Sequence, residues 1–550
     1  MDYSFLSDAL IVLTATVTVV VLLLRMGLPP ILGYLAVGVT VGPYGLGLVY
    51  DIENIRNFAE FGVVFLLFTI GLEFSISVLS RMKASVLGLG SAQVLLTAAL
   101  ATGLALFFGL TLESALVLGG VVAMSSTALV TKQLADQVEL HTRHGRNSLG
   151  ILLFQDLMVV PFLILVASLS GTAGSASTLT VLSALGEGLL ALLLIFGLGR
   201  WVLRPLFREV ARFHSAELFT LTALLVVLCS AWITHQIGLT FALGAFLAGV
   251  MLSETEFRHQ VESEIRPFRD VLLGLFFISV GMMLNVSIFP GFWPYVLALL
   301  AALIIFKLLL VAGFCRMVGW NSSVSMRTGL ILAHGGEFGF AILILAMDGN
   351  ILHPDEGQVI LAAMLLSMVI APIIIRYNSR ITAQLLPGSM ERSKREIREQ
   401  IIDRSHSLDH HVIVCGYGRV GQHSLSLLIE RNVPCMAVDL DSEQIQKAVV
   451  KGDPVSYGDA ASLELLHACG LERASALVVS MIDFSTTMKI ISRVRSVSST
   501  IPVFVRTRKE DHLYQLYQAG ATEVIADSFG SDEMITTEML SRYGVVEPGV

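Results

Sequence analysis

The sequence holds 550 residues, 54% of them hydrophobic and only 15% charged, with a mean hydropathy of +0.76 and a formal net charge of −8. A soluble chain of this length is far more polar, so the composition excludes one and indicates an integral protein of the lipid bilayer. The negative charge has no basic patch beside it and excludes a nucleic-acid partner, while Cys415, Cys435 and Cys469 sit at spacings that match no metal motif and read as reduced thiols.

The first apolar run follows Met-Asp-Tyr with neither a basic leader nor a small-residue cleavage site, and reads as a retained helix. Runs long enough to cross about 30 Å of hydrocarbon then follow one another near 5–24, 29–48, 57–77, 85–108, 114–134, 148–169, 178–198, 217–234, 238–253, 269–285, 292–314, 324–346 and 356–375. That makes about thirteen spans. Arg25, Arg81 with Lys83, Lys132 with Arg143 and Arg146, Arg200 through Arg212, Arg258 with Arg266 and Arg269, Arg316 with Arg327, and Arg376 with Arg380 fall in every second connection. The positive-inside rule therefore puts the N-terminus outside and the C-terminal part in the cytosol.

An internal repeat is visible at a fixed offset. The stretch "GYLAVGV" (33–39) is echoed by "GAFLAGV" (244–250) at 211 residues, and "FLLFTIGLEF" (65–74) by "LFFISVGMML" (275–284) at 210. Both echoes place span two over nine and span three over ten. An offset of seven spans inverts one half relative to the other, which is the architecture of secondary transporters.

The sixth span, "LGILLFQDLMVVPFLILVA", is apolar except at Gln155 and Asp156. A carboxylate at mid-bilayer costs roughly 2.5 to 3.5 kcal/mol even on a lenient scale, so a function must require it. Asp156 lies ten residues past Arg146 and Lys307 nine before Arg316, which puts both roughly 13 to 15 Å above the inner boundary, where they could pair. Ser125, Ser126 and Thr127 interrupt the fifth span, and His334, Gly335, Gly336 and Glu337 the twelfth, 209 residues later. Such clusters at matching places in inverted halves point to broken helices whose freed backbone faces an ion. The competing readings are a static Asp156–Lys307 ion pair, small residues placed for helix contact, and His334 with Glu337 capping a short helix. A proton and a monovalent cation competing for one carboxylate under alternating access is antiport. With the neutral Gln155 beside Asp156, the expected exchange is one cation for one proton and electroneutral.

Beyond a charged linker (381–409) the pattern changes at 410 to six short β-rich runs separated by amphipathic segments, the signature of a doubly wound sheet. The first turn carries Gly416-Tyr417-Gly418-Arg419-Val420-Gly421, a G-x-G-x-x-G between strand and helix, and the second strand ends at Asp439, placed to bind a ribose hydroxyl. Asp459 closes the third. These features predict an adenine nucleotide bound in a domain spanning 410–550, which gates a transporter formed by 1–380. A plausible contact for that gate is the charged stretch 253–270 between spans nine and ten, whose alternative is a solvated connecting loop.

The stretches "ILGYLAVGVTVGP", "MSSTALV", "LLFQDLMVVP", "FLAGVMLSETEFRHQVESEIRPF", "LGLFFISVGM", "HGGEFGF" and "VCGYGRVGQ…AVDLD…YGDA" together resemble the Kef-type, glutathione-gated potassium-efflux systems of bacteria, within the second monovalent cation/proton antiporter family. The resemblance covers nearly the whole chain. It implies an α-helical polytopic membrane domain of the sodium/proton-antiporter kind, an inverted repeat of about thirteen helices with crossed broken helices. It also implies a homodimer in the bacterial inner membrane that exchanges potassium for protons, and a cytosolic Rossmann-like domain of the RCK, TrkA-N or KTN kind holding AMP or NAD(H). Gln155 and Asp156 match the family's ion-site motif, Lys307 its helix-pairing lysine, and Glu262 and Glu264 its acidic regulatory loop. Arg419 and Arg508 match basic positions of the glutathione pocket. Glutathione-regulated members carry further chain after the nucleotide domain, whereas this sequence ends at Val550, so nucleotide binding is expected without a complete pocket for glutathione or its adducts. Whether a cytosolic accessory subunit takes part is left open. Three alternatives remain: a sodium/proton antiporter, a gated potassium channel, which lacks its T-V-G-Y-G filter here, and a membrane-anchored oxidoreductase, which lacks a substrate site.

Overall fold

The computed structural model describes residues 3–526 except 27, 50–60, 63, 66, 70, 73–83, 138, 141, 170–201, 204, 214, 237–240, 254, 287–288, 389–394, 396–397, 400, 407, 482 and 508–511. The chain divides into two compact units. One comprises Met1–Gln137, Arg146–Trp320 and Ser325–Ile381, the other Val138–Gly145, Asn321–Val324 and Thr382–Val550.

The first unit is all helix. It runs through α1 (Tyr3–Arg25), α2 (Pro30–Val41), a π-helical turn (Ala84–Gly90), α3 (Ser91–Phe107), α4 (Leu112–Ala123), α5 (Thr127–Asp136), α6 (Arg143–Leu169) and α7 (Ala216–Gln236). It continues with α8 (Phe241–Ser253), α9 (Arg258–Met283), α10 (Phe289–Met317), α11 (Ser322–Leu332), α12 (Glu337–Asp348), α13 (Pro354–Arg376) and α14 (Asn378–Leu385). Among the described residues seven helices are long and apolar enough to cross a membrane, and the bent pair α11–α12 makes an eighth. The remaining expected spans are accounted for residue by residue. The run 178–198 lies outside the described residues and 57–77 largely so, α2 and α8 are apolar but short, and α9 opens on a charged stretch.

That charged stretch corrects the sequence reading of a connecting loop around Glu262 and Glu264. From Arg258 onward it is helix and runs unbroken into the span. Val261 and Ile265, four residues apart and both buried, give it an apolar stripe that packs in one cluster with Phe207 and Phe219. Glu264 is anchored, its Oε2 accepting the Thr220 hydroxyl at 2.8 Å, and Glu262 stands 3.8 Å from His259 one turn earlier.

The inverted repeat shows in how glycines let backbones meet. A Cβ on Gly38 of α2 would lie 2.0 Å from the Ile278 carbonyl of α9, and one on Gly281 would lie 2.5 Å from the Leu35 carbonyl. The same contact recurs between Gly249 of α8 and Gly71, whose added Cβ atoms would lie 2.1 Å from the Phe68 carbonyl and 2.3 Å from the Phe246 carbonyl. Gly38 and Gly249 are 211 residues apart, Gly71 and Gly281 are 210 apart. One backbone-to-backbone crossing is thus used twice, with its partners exchanged. Small residues at such crossings suit a membrane, where packing rather than water exclusion drives helix association.

The second unit carries a sheet of six parallel strands, β1 (Val412–Cys415), β2 (Cys435–Asp439), β3 (Val455–Tyr457), β4 (Ala476–Val479), β5 (Val503–Thr507) and β6 (Glu523–Ala526), in the order β3-β2-β1-β4-β5-β6. Helices cover both faces, so the strands are apolar on both sides. Ile413, Cys415, Val438 and Val479 face one cluster, Val414, Ala437, Val478 and Phe504 the other. No cysteine is in a disulfide among the described residues, and burial pushes the Cys435 thiol up to about 11 and that of Cys469 to about 12, which leaves both inert as nucleophiles.

Candidate functional site

Helix α4 stops at Ala123 and α5 begins at Thr127, with Met124 in extended backbone between them. Ser126 caps α5, its hydroxyl accepting the Leu129 amide at 3.2 Å. The second break separates α11 from α12 over 333–336 with a bend of 44°, and Gly336 is extended at φ −126°, ψ 165°. Serine and glycine favour non-helical backbone, which is why the chain breaks at these places. The two breaks touch. A Cβ on Gly336 would lie 2.5 Å from both the carbonyl carbon and oxygen of Ser125, and the Ser125 hydroxyl donates to the Leu332 carbonyl at 3.0 Å.

Lys307 of α10 ties this crossing together. Its fully buried ammonium donates to the Met124 carbonyl at 2.7 Å, the His334 carbonyl at 2.7 Å and the Ser125 Oγ at 2.8 Å. All three donors are spent, none on Asp156. The pairing suggested by shared depth gives way because two breaks expose carbonyls in a region without water, and those carbonyls need a donor. Asp156, only 9% exposed, is instead served by Thr127 at the start of α5, whose hydroxyl stands 2.9 and 3.2 Å from its two oxygens.

Gln155 points another way, as successive residues on a helix must. Its Oε1 accepts the Ser125 amide at 2.7 Å and its Nε2 donates to Gln93 Oε1 at 2.8 Å. Gln93 in turn donates to Thr97 Oγ1 at 3.1 Å. Gln93 and Ser367, whose hydroxyl accepts the Gly335 amide at 3.0 Å, escaped the sequence reading. Ser367 is a lone polar residue inside an apolar run, and Gln93 is the one amide side chain in its span; that rarity is the signal that would have found them.

Two polar atoms at the crossing, Glu337 Oε2 and His334 Nε2, are buried with no hydrogen-bond partner among the described residues. The Glu337 carboxyl interacts with Ser126 and with the backbone of Thr127 and Ala128 at the start of α5, an end that favours negative charge. The His334 Nδ1 is taken up by the Gly335 carbonyl at 2.7 Å. Asp156 and the Thr127 hydroxyl thus stand together in a buried place at the start of α5, directly after the first break.

In the sheet domain the loop after β1 has the shape its glycines require. Gly416 adopts φ +104°, and a Cβ on Gly421 would lie 2.0 Å from the Gly416 carbonyl. The helix that opens at Arg419 (Arg419–Glu430) has Gly418 as its N-cap, so no side chain covers that end, and a helix N-terminus is the kind of place that suits a phosphate. Asp439 at the end of β2 accepts the Tyr417 amide at 2.5 Å and the Asp441 amide at 2.8 Å. Gly418 and Arg419 are exposed and Val420 is buried; Asp459 is exposed after β3, where it accepts the Ala461 amide at 2.9 Å. The sequence-derived set around Gly416–Gly421 and Asp439 is therefore gathered in one place. Arg508 lies outside the described residues.

Comparison with known proteins adds three findings. Residues 10–377 match the family described as sodium/hydrogen exchanger, transmembrane, and residues 412–527 the TrkA-N domain. A relative from Alkalimonas amylolytica, named "Putative K(+) efflux antiporter KefB", is 41% identical over 98% of this chain and 82% of its own length; K(+) efflux antiporter 1, chloroplastic, of Arabidopsis thaliana is 38% identical over 98% of this chain, which spans only 45% of that protein. The structure of the sodium proton antiporter MjNhaP1 from Methanocaldococcus jannaschii covers 70% of this chain and 99% of its own at 16% identity and a TM-score of 0.51, a likeness of fold. The chain belongs to the sodium/hydrogen exchanger family: it is a multi-pass membrane transporter, not an enzyme, and carries a TrkA-N domain beyond its membrane helices.

Proposed function

We propose that the chain exchanges potassium for protons at Asp156, one for one, with the TrkA-N domain regulating the exchange through a bound adenine nucleotide. The observation that carries this reading is the position of Asp156, a buried carboxylate served by the Thr127 hydroxyl beside the crossing of two broken helices. A cation in that place takes oxygen from the carboxylate, the hydroxyl and freed backbone, and a proton on the carboxylate removes the charge that holds it. Binding of one excludes the other, and alternating access turns that exclusion into antiport. Gln155 beside Asp156 keeps the cycle to one carboxylate and the exchange electroneutral. The relatives' names favour potassium; the family description favours sodium as the second reading.

The nucleotide, AMP or NAD(H), sits with its phosphates on the Gly416–Gly421 turn and its ribose on Asp439. The protein works as a homodimer in the inner membrane, N-terminus outside and TrkA-N domain in the cytosol. Proton flux in proteoliposomes on adding potassium or sodium tests the reading. Wild type should respond to potassium with no dependence on membrane voltage, and Asp156→Asn should not respond at all. Sodium-only flux selects the second reading, and coupled flux retained in the variant removes Asp156 from the mechanism.

A further inference from the structure

A cavity of about 520 Å³ lies in the membrane unit between α3, α4, α10 and α13. Its walls are apolar, including Leu104, Val122, Ala302, Val359 and Ala363, and no basic side chain lines it. Water needs polar partners to stay in such a space, and these walls give it almost none. The mouth is formed where α3 ends and α4, α10 and α13 begin, at Leu110, Tyr295, Asp355 and Glu356. That is the membrane face opposite Arg316 and Arg376, which close α10 and α13 at their other ends. The floor is at Gly335, Phe306 and Met364.

The depth of the slot follows from α13. Asp355 at the mouth and Met364 at the floor are nine residues apart, roughly 13 to 14 Å of helix, which is about half of a 30 Å hydrocarbon core. The slot is therefore one leaflet deep. At its mouth Asp355 and Glu356 are exposed, and neither side-chain carboxylate makes a hydrogen bond or ion pair with any described residue. An apolar slot of leaflet depth with two unpaired carboxylates at the headgroup level matches an amphiphile with one hydrocarbon tail inside and a cationic group at the top.

We propose that this slot holds one acyl chain of a membrane phospholipid whose headgroup amine, of the phosphatidylethanolamine type, is held by Asp355 and Glu356. The end of the chain rests on Gly335 and Phe306, sequence neighbours of His334 and Lys307 in the helix crossing, so the lipid braces the second break.

The test is native mass spectrometry of the full-length protein in detergent, exposed to equal amounts of phosphatidylethanolamine and phosphatidylglycerol. Wild type should retain one phosphatidylethanolamine in several-fold preference. Ala302→Trp, a change at an exposed position of the wall, should plug the slot and abolish retention. Asp355→Asn with Glu356→Gln, both on the surface, should keep one lipid and lose the preference. Equal retention of the two lipids by wild type, no retained lipid, or a preference unchanged in the double variant would overturn the proposal.

Discussion

Replacing Lys307 by methionine keeps a long apolar stem and removes the ammonium that donates to the Met124 and His334 carbonyls. Each buried acceptor left without its donor costs about 1 to 3 kcal/mol, and no water within the bilayer substitutes. Lys307→Met should therefore lower the Tm of the solubilised protein by several degrees, whereas Asp156→Asn should leave it nearly unchanged; equal Tm values in the two variants would refute the tie. The contrast also shows what a sequence yields at this scale. Gln155 and Asp156 were legible because they are the only polar residues in an apolar run. The destination of the Lys307 ammonium was not, since counting residues from a boundary gives depth and nothing about direction around the helix.

At the scale of elements the crossing depends on backbone contact. Gly336→Ala would put a methyl 2.5 Å from the Ser125 backbone, closer than atoms can approach, so α12 must move off α5 and carry Glu337 with it. Exchange should fall to background in this variant even though Asp156 is intact, and wild-type flux would show the contact to be dispensable. In the TrkA-N domain the helix Phe484–Val497 is capped by Asp483, which accepts the Thr486 amide at 2.7 Å and its hydroxyl at 2.6 Å. Partial burial works against the charged form, yet the bonds from Thr486 and Ser485 and the charge of Lys489 hold the Asp483 carboxyl below its usual value. The cap is thus fully present above the ordinary carboxylate range and is lost as pH falls through the depressed value. Asp483→Ala should cost about 1 kcal/mol locally, seen as faster amide exchange in that helix near neutral pH, with the difference from wild type shrinking in acid. The broken helices were legible as Ser and Gly clusters. The first turns of α9 were not, because a dense run of charge hides the single buried stripe of Val261 and Ile265 that makes it a helix.

Across the whole molecule, composition separated a membrane part from a polar one, and six β-rich runs alternating with amphipathic segments made a doubly wound sheet legible; its order, β3-β2-β1-β4-β5-β6, is set by how the strands pair and not by the pattern of runs. The inverted repeat was legible as two echoed glycine stretches, but their use as a shared crossing, Gly38 on α9 and Gly249 against Gly71, is a three-dimensional fact that no offset carries. That symmetry places Asp156 beside a crossing of two breaks, and the account rests on a proton and a cation excluding each other there. Proton release on adding potassium to weakly buffered, detergent-solubilised protein tests this most directly, wild type beside Asp156→Asn. One proton released per potassium bound by wild type, and none from the variant, is the predicted result; potassium binding without proton release, or the same release from the variant, would contradict it.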